Sequence, residues 1–333
     1  MSNNIKKLFT IFLLFSIVVA TGCDNSEYQK QIGDFQTAID ESRSALESYY
    51  LEMNQFERDI YILRRETNSK LSLGIIYGDM ASTDNPLDRG KDALYVNGPF
   101  TPASIKARLD SLKLIGLYGK RLAELAGTDS PAVFESGTSA LGQNISNLTN
   151  TFRQLSGSGT DKTAASYIPP ISTLVSIVGR LYLERKRDKA LTEGIQQGSR
   201  YITQITGQLK IDFAEIIKPL KGTGLTAQIS TLLQNYEDER EKITRNDRKK
   251  LLAEINSIVR TYELFVAADT LDVIQSLEDA NQALLLFANS GMKRTGFTQV
   301  VARVGEFRDK AKQIAEIIKE IREIRRELKD ANR

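Results

Sequence analysis

The 333-residue chain contains no histidine and a single cysteine, Cys23. Histidine is the side chain most often used for general acid–base catalysis near neutral pH. Its absence excludes a Ser-His-Asp triad, a Cys-His pair and zinc sites built on histidine. A lone cysteine also excludes an intramolecular disulfide, so the fold must depend on its hydrophobic core or on partners.

The sequence also lacks a large excess of charge of one sign and the common enzyme motifs. The 45 Lys and Arg residues nearly balance the 42 Asp and Glu residues, for a formal net charge of +3. This balance gives no electrostatic footprint for nucleic acid, so no nucleic-acid partner is expected. We find no P-loop and no dinucleotide-binding fingerprint, and no carboxylate pair stands out for glycosidase chemistry. The sequence therefore predicts no catalytic residues, no cofactor and no metal site.

The amino terminus has the three parts of a secretory signal in their usual order. Lys6 and Lys7 supply positive charge ahead of an apolar run over residues 8–20. Small residues at positions 20–22 then precede the single cysteine, Cys23. The apolar run has ~13 residues, which is shorter than the ~20 residues needed to cross a bilayer. A cleaved signal is therefore favoured over a transmembrane anchor.

This arrangement over residues 1–23 resembles the lipobox of bacterial lipoproteins. In that family a dedicated peptidase cuts before the cysteine, and the cysteine sulfur carries diacylglycerol. The resemblance implies a signal peptide over residues 1–22, cleavage between Gly22 and Cys23, and acyl chains on Cys23 that hold the protein on a membrane outside the cytoplasm. Ala20 departs from the family, which prefers leucine at that position. Two or three acyl chains make attachment effectively permanent, whereas one chain binds only marginally.

Asp24, which follows the cysteine, bears on which membrane holds the protein. In enteric-type lipoproteins, an aspartate at this position resembles a signal for retention in the inner membrane. In a Gram-negative host with that sorting system, Asp24 implies an inner-membrane protein that faces the periplasm. In other hosts the resemblance implies only a cell membrane and an exterior or periplasmic face. The alternative is that Asp24 is simply a polar residue near the start of a helix.

The rest of the sequence predicts an all-α fold, an elongated bundle of long helices with coiled-coil-like heptad seams. Apolar residues that alternate steps of three and four indicate a helix over residues 27–68. Only Ser42 interrupts its seam, which is Ile32, Phe35, Ile39, Leu46, Tyr49, Met53, Phe56, Ile60 and Leu63. A helix over residues 298–332 repeats the pattern, interrupted by Arg325, at Val300, Val304, Phe307, Ala311, Ile314, Ile318, Ile321 and Leu328. Either the two helices pack together as a stalk, or one of them packs against another copy in an oligomer.

Composition divides the chain after the signal peptide into four parts. Residues 23–26 form a lipidated amino terminus, and residues 27–155 form a helical region. Within that region, turn-forming residues predict an irregular loop over residues 81–100. A Ser/Gly linker over residues 156–160 follows, and a long-helix region over residues 161–333 completes the chain. The linker either divides two helical subdomains or is a loop at one end of a single bundle.

Two further segments carry specific expectations. Tyr167–Leu183 is the most apolar segment after the signal, and we expect a buried core helix that continues through residue 189. The alternative for it is a segment that inserts into a membrane after rearrangement. The polar segment 237–250 is expected to form a projecting helix, and a hairpin turn near Asn246-Asp247 is the alternative.

These features favour a non-enzymatic envelope protein that scaffolds, tethers or binds another envelope component. Its expected partners are the membrane, through acyl chains on Cys23, and a protein partner or a second copy, through a helix face. One alternative is a membrane-active protein similar in architecture to helical pore-forming toxins. The other is a carboxylate-based enzyme that acts on cell-wall sugars.

Overall fold

The structure, a computed structural model, describes residues 25–66, 102–127, 131–159, 161–184, 187–221, 223–291 and 294–331. The predicted signal peptide, the predicted lipid-attachment residue Cys23 and the predicted irregular loop over residues 81–100 lie outside these ranges. Within them the chain is helical and contains no β-strand, so the predicted all-α fold is confirmed.

Nine α-helices and one short 3₁₀-helix make up the described part of the chain. The α-helices are α1 Asn25–Glu66, α2 Pro102–Gly127, α3 Pro131–Gly157, α4 Ile168–Leu183, α5 Arg187–Lys221, α6 Thr223–Glu239, α7 Arg245–Ala267, α8 Thr270–Asn289 and α9 Arg294–Ala331. The 3₁₀-helix Ala164–Tyr167 leads directly into α4. Proline is the first residue of both α2 and α3, where its preset backbone angle favours helix initiation.

Helices α1 and α9 pack together along their heptad seams. From Ile32 to Ile60 every residue of the seam predicted for α1 is buried, Ser42 included. The seam of α9 is likewise buried from Val300 to Ile321. With 42 residues, α1 is about 63 Å long at ~1.5 Å per residue. The first and last helices therefore pack together, which is one of the two arrangements that the sequence left open.

Five helices contact one another in a closed ring. Going around the bundle, α1 contacts α2, α2 contacts α5, α5 contacts α8, α8 contacts α9, and α9 returns to α1. Helices α3 and α4 pack on each other and against α2, and α4 also packs against α5. Helices α6 and α7 contact α1 and α5, and α7 also contacts α9. The buried apolar side chains form one continuous cluster, which helices on both sides of residues 156–160 share.

The apolar segment Tyr167–Leu183 forms the end of the 3₁₀-helix and all of α4. One face of α4 is buried, as expected for a core helix, and the opposite face exposes Ser172 and Ser176. The prediction that this helix continues through residue 189 is wrong, because α4 ends at Leu183 and a separate helix begins at Arg187. A continuous helix would carry the apolar face of α5 away from α4, whereas the break lets these two helices pack together.

The polar segment 237–250 is not one helix. Helix α6 ends at Glu239, and α7 begins at Arg245. Thr244 is the N-cap of α7, and its side-chain oxygen accepts a hydrogen bond from the Asp247 N–H at 3.2 Å. The prediction of a projecting helix is therefore wrong. The alternative prediction of a turn is correct, although the turn lies a few residues before Asn246-Asp247. A capping threonine stabilises the start of a new helix, so the chain can reverse there.

Candidate functional site

The residues that the sequence predicts for lipid attachment and sorting are Gly22, Cys23 and Asp24. All three lie outside the described residues, which begin at Asn25. Asn25 is itself the first residue of α1. The structure therefore places a long helix one residue after Asp24 in sequence.

A buried polar network surrounds Arg108, a residue of α2 that is 0 % exposed. We call it the Arg108 cluster, and its members are Ser104, Arg108, Asp161, Thr163, Tyr167, Gln208 and Asp212. These residues come from α2, from the turn and 3₁₀-helix that follow α3, and from α5. The cluster thus joins three segments that are distant in sequence.

The guanidinium of Arg108 binds two buried carboxylates. Its Nε donates to Asp212 Oδ2 at 2.6 Å. Its Nη1 and Nη2 donate to the two oxygens of Asp161 at 2.5 and 2.9 Å. Paired N–H donors that meet both oxygens of one carboxylate give the bidentate geometry that makes Arg–carboxylate contacts strong and directional.

Neutral groups occupy the remaining positions around these charges. Arg108 Nη1 also donates to Ser104 Oγ at 2.5 Å, and Nη2 donates to Thr163 Oγ1 at 2.6 Å. The Tyr167 hydroxyl donates to Asp212 Oδ2 at 2.8 Å. Each buried charge therefore has several hydrogen-bond partners, which offsets much of the cost of removing it from water.

Aromatic rings cover one side of the cluster. The rings of Phe152 and Tyr167 are stacked, with centroids 4.7 Å apart and planes inclined by 1°. Arg108 Cζ lies 5.5 Å from the centroid of the Tyr167 ring, within the range of a cation–π interaction. Tyr167 therefore contacts the cation with its ring and the Asp212 carboxylate with its hydroxyl.

The surroundings shift the pKa values of Asp161 and Tyr167 away from neutral pH. Burial acts to raise the pKa of Asp161, but hydrogen bonds from Arg108 and Ser104 outweigh burial and hold that pKa below its ordinary value. Burial and the negative charge of Asp212 raise the pKa of Tyr167 well above its ordinary value. A group that transfers protons at neutral pH needs a pKa near 7. The cluster is therefore suited to joining helices, and its donors and acceptors are already occupied.

An open groove between α2 and α3 is a second place where polar side chains meet. Its volume is about 390 Å³, and Arg43 of α1 contributes to its lining. The groove has an apolar floor and a charged, amide-containing rim. Its lining residues are Arg43, Ala103, Lys106, Ala107, Asp110, Lys113, Leu114, Leu117, Asn144, Asn147, Leu148 and Thr151.

A second groove of about 490 Å³ runs along the outer side of α1 and α9. Ser44 and Ser48 of α1 and Ala311 and Ala315 of α9 are among its lining residues. Ser44 and Ala315 are exposed there, whereas Ala311 is buried. Leu51, one turn beyond Ser48, is 62 % exposed. This side of α1 therefore presents an apolar side chain beside a shallow groove.

Two features are absent from the described residues. Nowhere in the described ranges do three or more His, Cys, Asp or Glu side chains come together in a way that could hold a metal ion. Among the helices that the structure describes, none is long and apolar enough to span a membrane.

Comparison with protein-family models, with curated proteins and with solved structures finds no match to this chain. Inferences about its function therefore depend on the residues themselves.

The Arg108 cluster was not predicted from the sequence. A signal for it is present, because Arg108 lies beside Leu109 and one turn before Leu112, on the apolar side of α2. Asp212 is similarly placed beside Phe213 on α5. A charged residue at a core position of an amphipathic helix indicates a buried partner, although the sequence does not identify which one.

Proposed function

We propose that the protein is a lipid-anchored envelope lipoprotein with a non-enzymatic role as a scaffold, a tether or a partner-binding bundle. The observation that carries this proposal is the order of features in residues 1–23, where two lysines, an apolar run, small residues and Cys23 follow one another. Acyl chains on Cys23 attach the protein to a membrane outside the cytoplasm. In a Gram-negative host, Asp24 directs it to the inner membrane.

The position of α1 supports a mechanical coupling between this anchor and the bundle. Only Asp24 separates Cys23 from the first residue of α1. α1 packs against α2 and α9. A lipid on Cys23 is thus joined with almost no linker to a helix that belongs to the core. Such an attachment keeps the bundle close to the membrane surface and favours the positioning of a partner there.

Two observations favour a binding role over catalysis. The chain has no histidine, and the groups of the Arg108 cluster are already hydrogen-bonded to one another. The outer groove of α1 and α9, with Leu51 exposed next to it, is the surface that we assign to a protein partner or a second copy.

Mass spectrometry of the protein extracted from membranes tests the anchor. We expect a mature amino terminus at Cys23 that carries acyl chains in the wild type. Cys23→Ala abolishes both cleavage and acylation, and the matched variant Asn25→Ala retains both, because it leaves the lipobox intact. An unmodified Cys23 or an uncleaved amino terminus in the wild type contradicts the proposal.

Site-specific photo-crosslinking in intact cells tests the binding role. A photoreactive residue at Ser44, on the outer groove, is expected to give a discrete crosslinked product, either with a second copy or with another envelope protein. The same residue at Asn150, an exposed position on α3, serves as the control. Equal crosslinking from both positions, or none from Ser44, contradicts the assignment of this surface.

A further inference from the structure

The groove between α2 and α3 is built from one face of each helix. On α2 its lining residues recur at helical spacing from Ala103 to Leu117, and on α3 they recur from Asn144 to Thr151. Leu114 and Leu148 are buried and form part of the floor. A volume of about 390 Å³ lies within the range of small-molecule sites in proteins, roughly 300–1,000 Å³.

The charges in this groove do not cancel. Asp110 accepts hydrogen bonds from Arg43 Nη2 at 2.9 Å and from Lys106 Nζ at 2.6 Å. Arg43 Nη1 also lies 3.4 Å from Glu47, a neighbour on α1. These two carboxylates offset the two cations. Lys113 is exposed and forms no ion pair with any residue that the structure describes. Its positive charge is therefore not offset by a carboxylate of the described residues.

Arg43 also retains an unused hydrogen-bond donor. Its Nε is buried and has no hydrogen-bond partner among the described residues. A buried donor without an acceptor destabilises the protein, because the water it bound in the unfolded chain is not replaced. Arg43 therefore brings a guanidinium with one unpaired N–H to the lining of the groove. Asn144 and Asn147 are both exposed on the opposite wall, and the Asn144 amide already donates one hydrogen bond to the Ala140 carbonyl at 3.0 Å.

We propose that this groove binds a small soluble amphipathic anion, a carboxylate or phosphate group attached to a short apolar body. The anionic group lies against Lys113 and Arg43, and the apolar body lies on the leucine floor. The excess positive charge selects against a cation of the same shape. This binding site is independent of the lipid anchor and goes beyond the scaffold role proposed above.

Thermal unfolding of the full-length protein in a neutral detergent measures binding, because a ligand that binds only the folded state raises the unfolding midpoint. The probes are phenyl phosphate, benzoate and benzylammonium, which share an apolar ring and differ in their charged group. We expect one or both anions to raise the midpoint at concentrations at which benzylammonium does not. The ratio of the two anion affinities identifies which group the site prefers.

Matched variants locate the site. Lys113→Glu is expected to weaken anion binding roughly tenfold or more, since a charge-assisted contact is replaced by repulsion. Lys120→Glu changes the net charge equally on an exposed position of the same helix, outside the groove, and leaves binding unchanged. A second measurement needs no variant: phenyl phosphate slows acetylation of Lys113, followed by mass spectrometry, and leaves the rate at Lys120 unaltered.

Three results overturn the inference. The first is the absence of any midpoint rise with both anions. The second is an equal loss of binding in the Lys113→Glu and Lys120→Glu variants, and the third is equal stabilisation by benzylammonium. A failure of acylation at Cys23 affects none of these measurements, so the two proposals are tested separately.

Discussion

Arg108 of α2 donates its Nε–H to Asp212 of α5 at 2.6 Å, across 104 residues of sequence. The same guanidinium binds both oxygens of Asp161, which lies in the turn after α3. One buried cation therefore fixes the relative positions of three segments. Replacing one member of such a network leaves the others charged and unpaired in the interior, which costs far more free energy than losing an exposed ion pair.

Arg108→Met is expected to lower the free energy of unfolding by about 3–5 kcal/mol, because Asp161 and Asp212 lose their shared cation. Urea unfolding followed by circular dichroism measures the change. The matched variant is Arg303→Met on α9, whose arginine is 43 % exposed and pairs with Glu306. The free energy of unfolding of that variant should differ from that of the wild type by roughly 0.5 kcal/mol or less. Equal effects of the two variants would show that the Arg108 cluster does not stabilise the fold.

Protonation of the Asp161 carboxylate at acidic pH is expected to lower the free energy of unfolding. Its pKa in the folded protein is below the ordinary value of 3.8, because hydrogen bonds from Arg108 and Ser104 outweigh the effect of burial. The unfolded chain therefore binds the proton more readily. The stabilising contribution is complete above about pH 4–5 and is lost as the pH falls toward the folded-state pKa.

The variant Asp161→Asn isolates this contribution. We expect it to be less stable than the wild type at pH 7, and the difference in free energy of unfolding should shrink progressively between about pH 5 and pH 2. Denaturant unfolding at each pH, for both proteins, provides the measurement. A difference that stays constant over this range would mean that Asp161 is not the group responsible.

The heptad seams show which parts of the fold could be predicted. A pattern of apolar residues at steps of three and four depends only on neighbours along the chain, so it identified α1 and α9 and their buried faces. Even Ser42, which breaks the seam of α1, is buried there, because its Oγ donates to the Ala38 carbonyl at 2.7 Å. The helix itself satisfies that polar group, so the seam continues.

Contacts between helices could not be predicted in the same way. Arg325 looks like an interruption of the seam of α9, but it reaches across to α1, where it lies 2.5 Å from Glu52 and 3.0 Å from Asp59. The partners of Arg108 are similarly 53 and 104 residues away. Sequence pattern indicates that such charges occupy unusual positions, whereas their pairing depends on how the helices are arranged in space.

Glu52 is the common acceptor for two arginines of α9. Arg322 Nε lies 2.7 Å from it and Arg325 Nη1 lies 2.5 Å from it, and the Glu52 side chain is only 13 % exposed. Glu52→Gln is expected to lower the free energy of unfolding by about 1–2 kcal/mol, because two charge-assisted contacts become weaker ones. Glu323→Gln is the control, since that side chain is 54 % exposed and lies 4.0 Å from Lys319. Chemical denaturation that shows no difference between these variants would contradict the assigned role of Glu52.

Substitution by alanine is expected to have opposite effects on stability at two glycines of α5, Gly198 and Gly207. A Cβ at Gly198 would lie 2.3 Å from the Tyr118 hydroxyl oxygen and 2.7 Å from two ring carbons, whereas a Cβ at Gly207 meets nothing within 4 Å. Tyr118 is buried, and its hydroxyl donates to the Gly194 carbonyl at 2.9 Å, so its ring has little freedom to move.

Gly198→Ala is therefore expected to lower the free energy of unfolding by about 1–3 kcal/mol, through overpacking between α2 and α5. Gly207→Ala should raise it by roughly 0.5–1 kcal/mol, because alanine favours the helix and no neighbour must shift. Thermal and denaturant unfolding of both variants measure these changes. If both variants raise the free energy of unfolding, then helix propensity rather than the close approach of Tyr118 governs this interface.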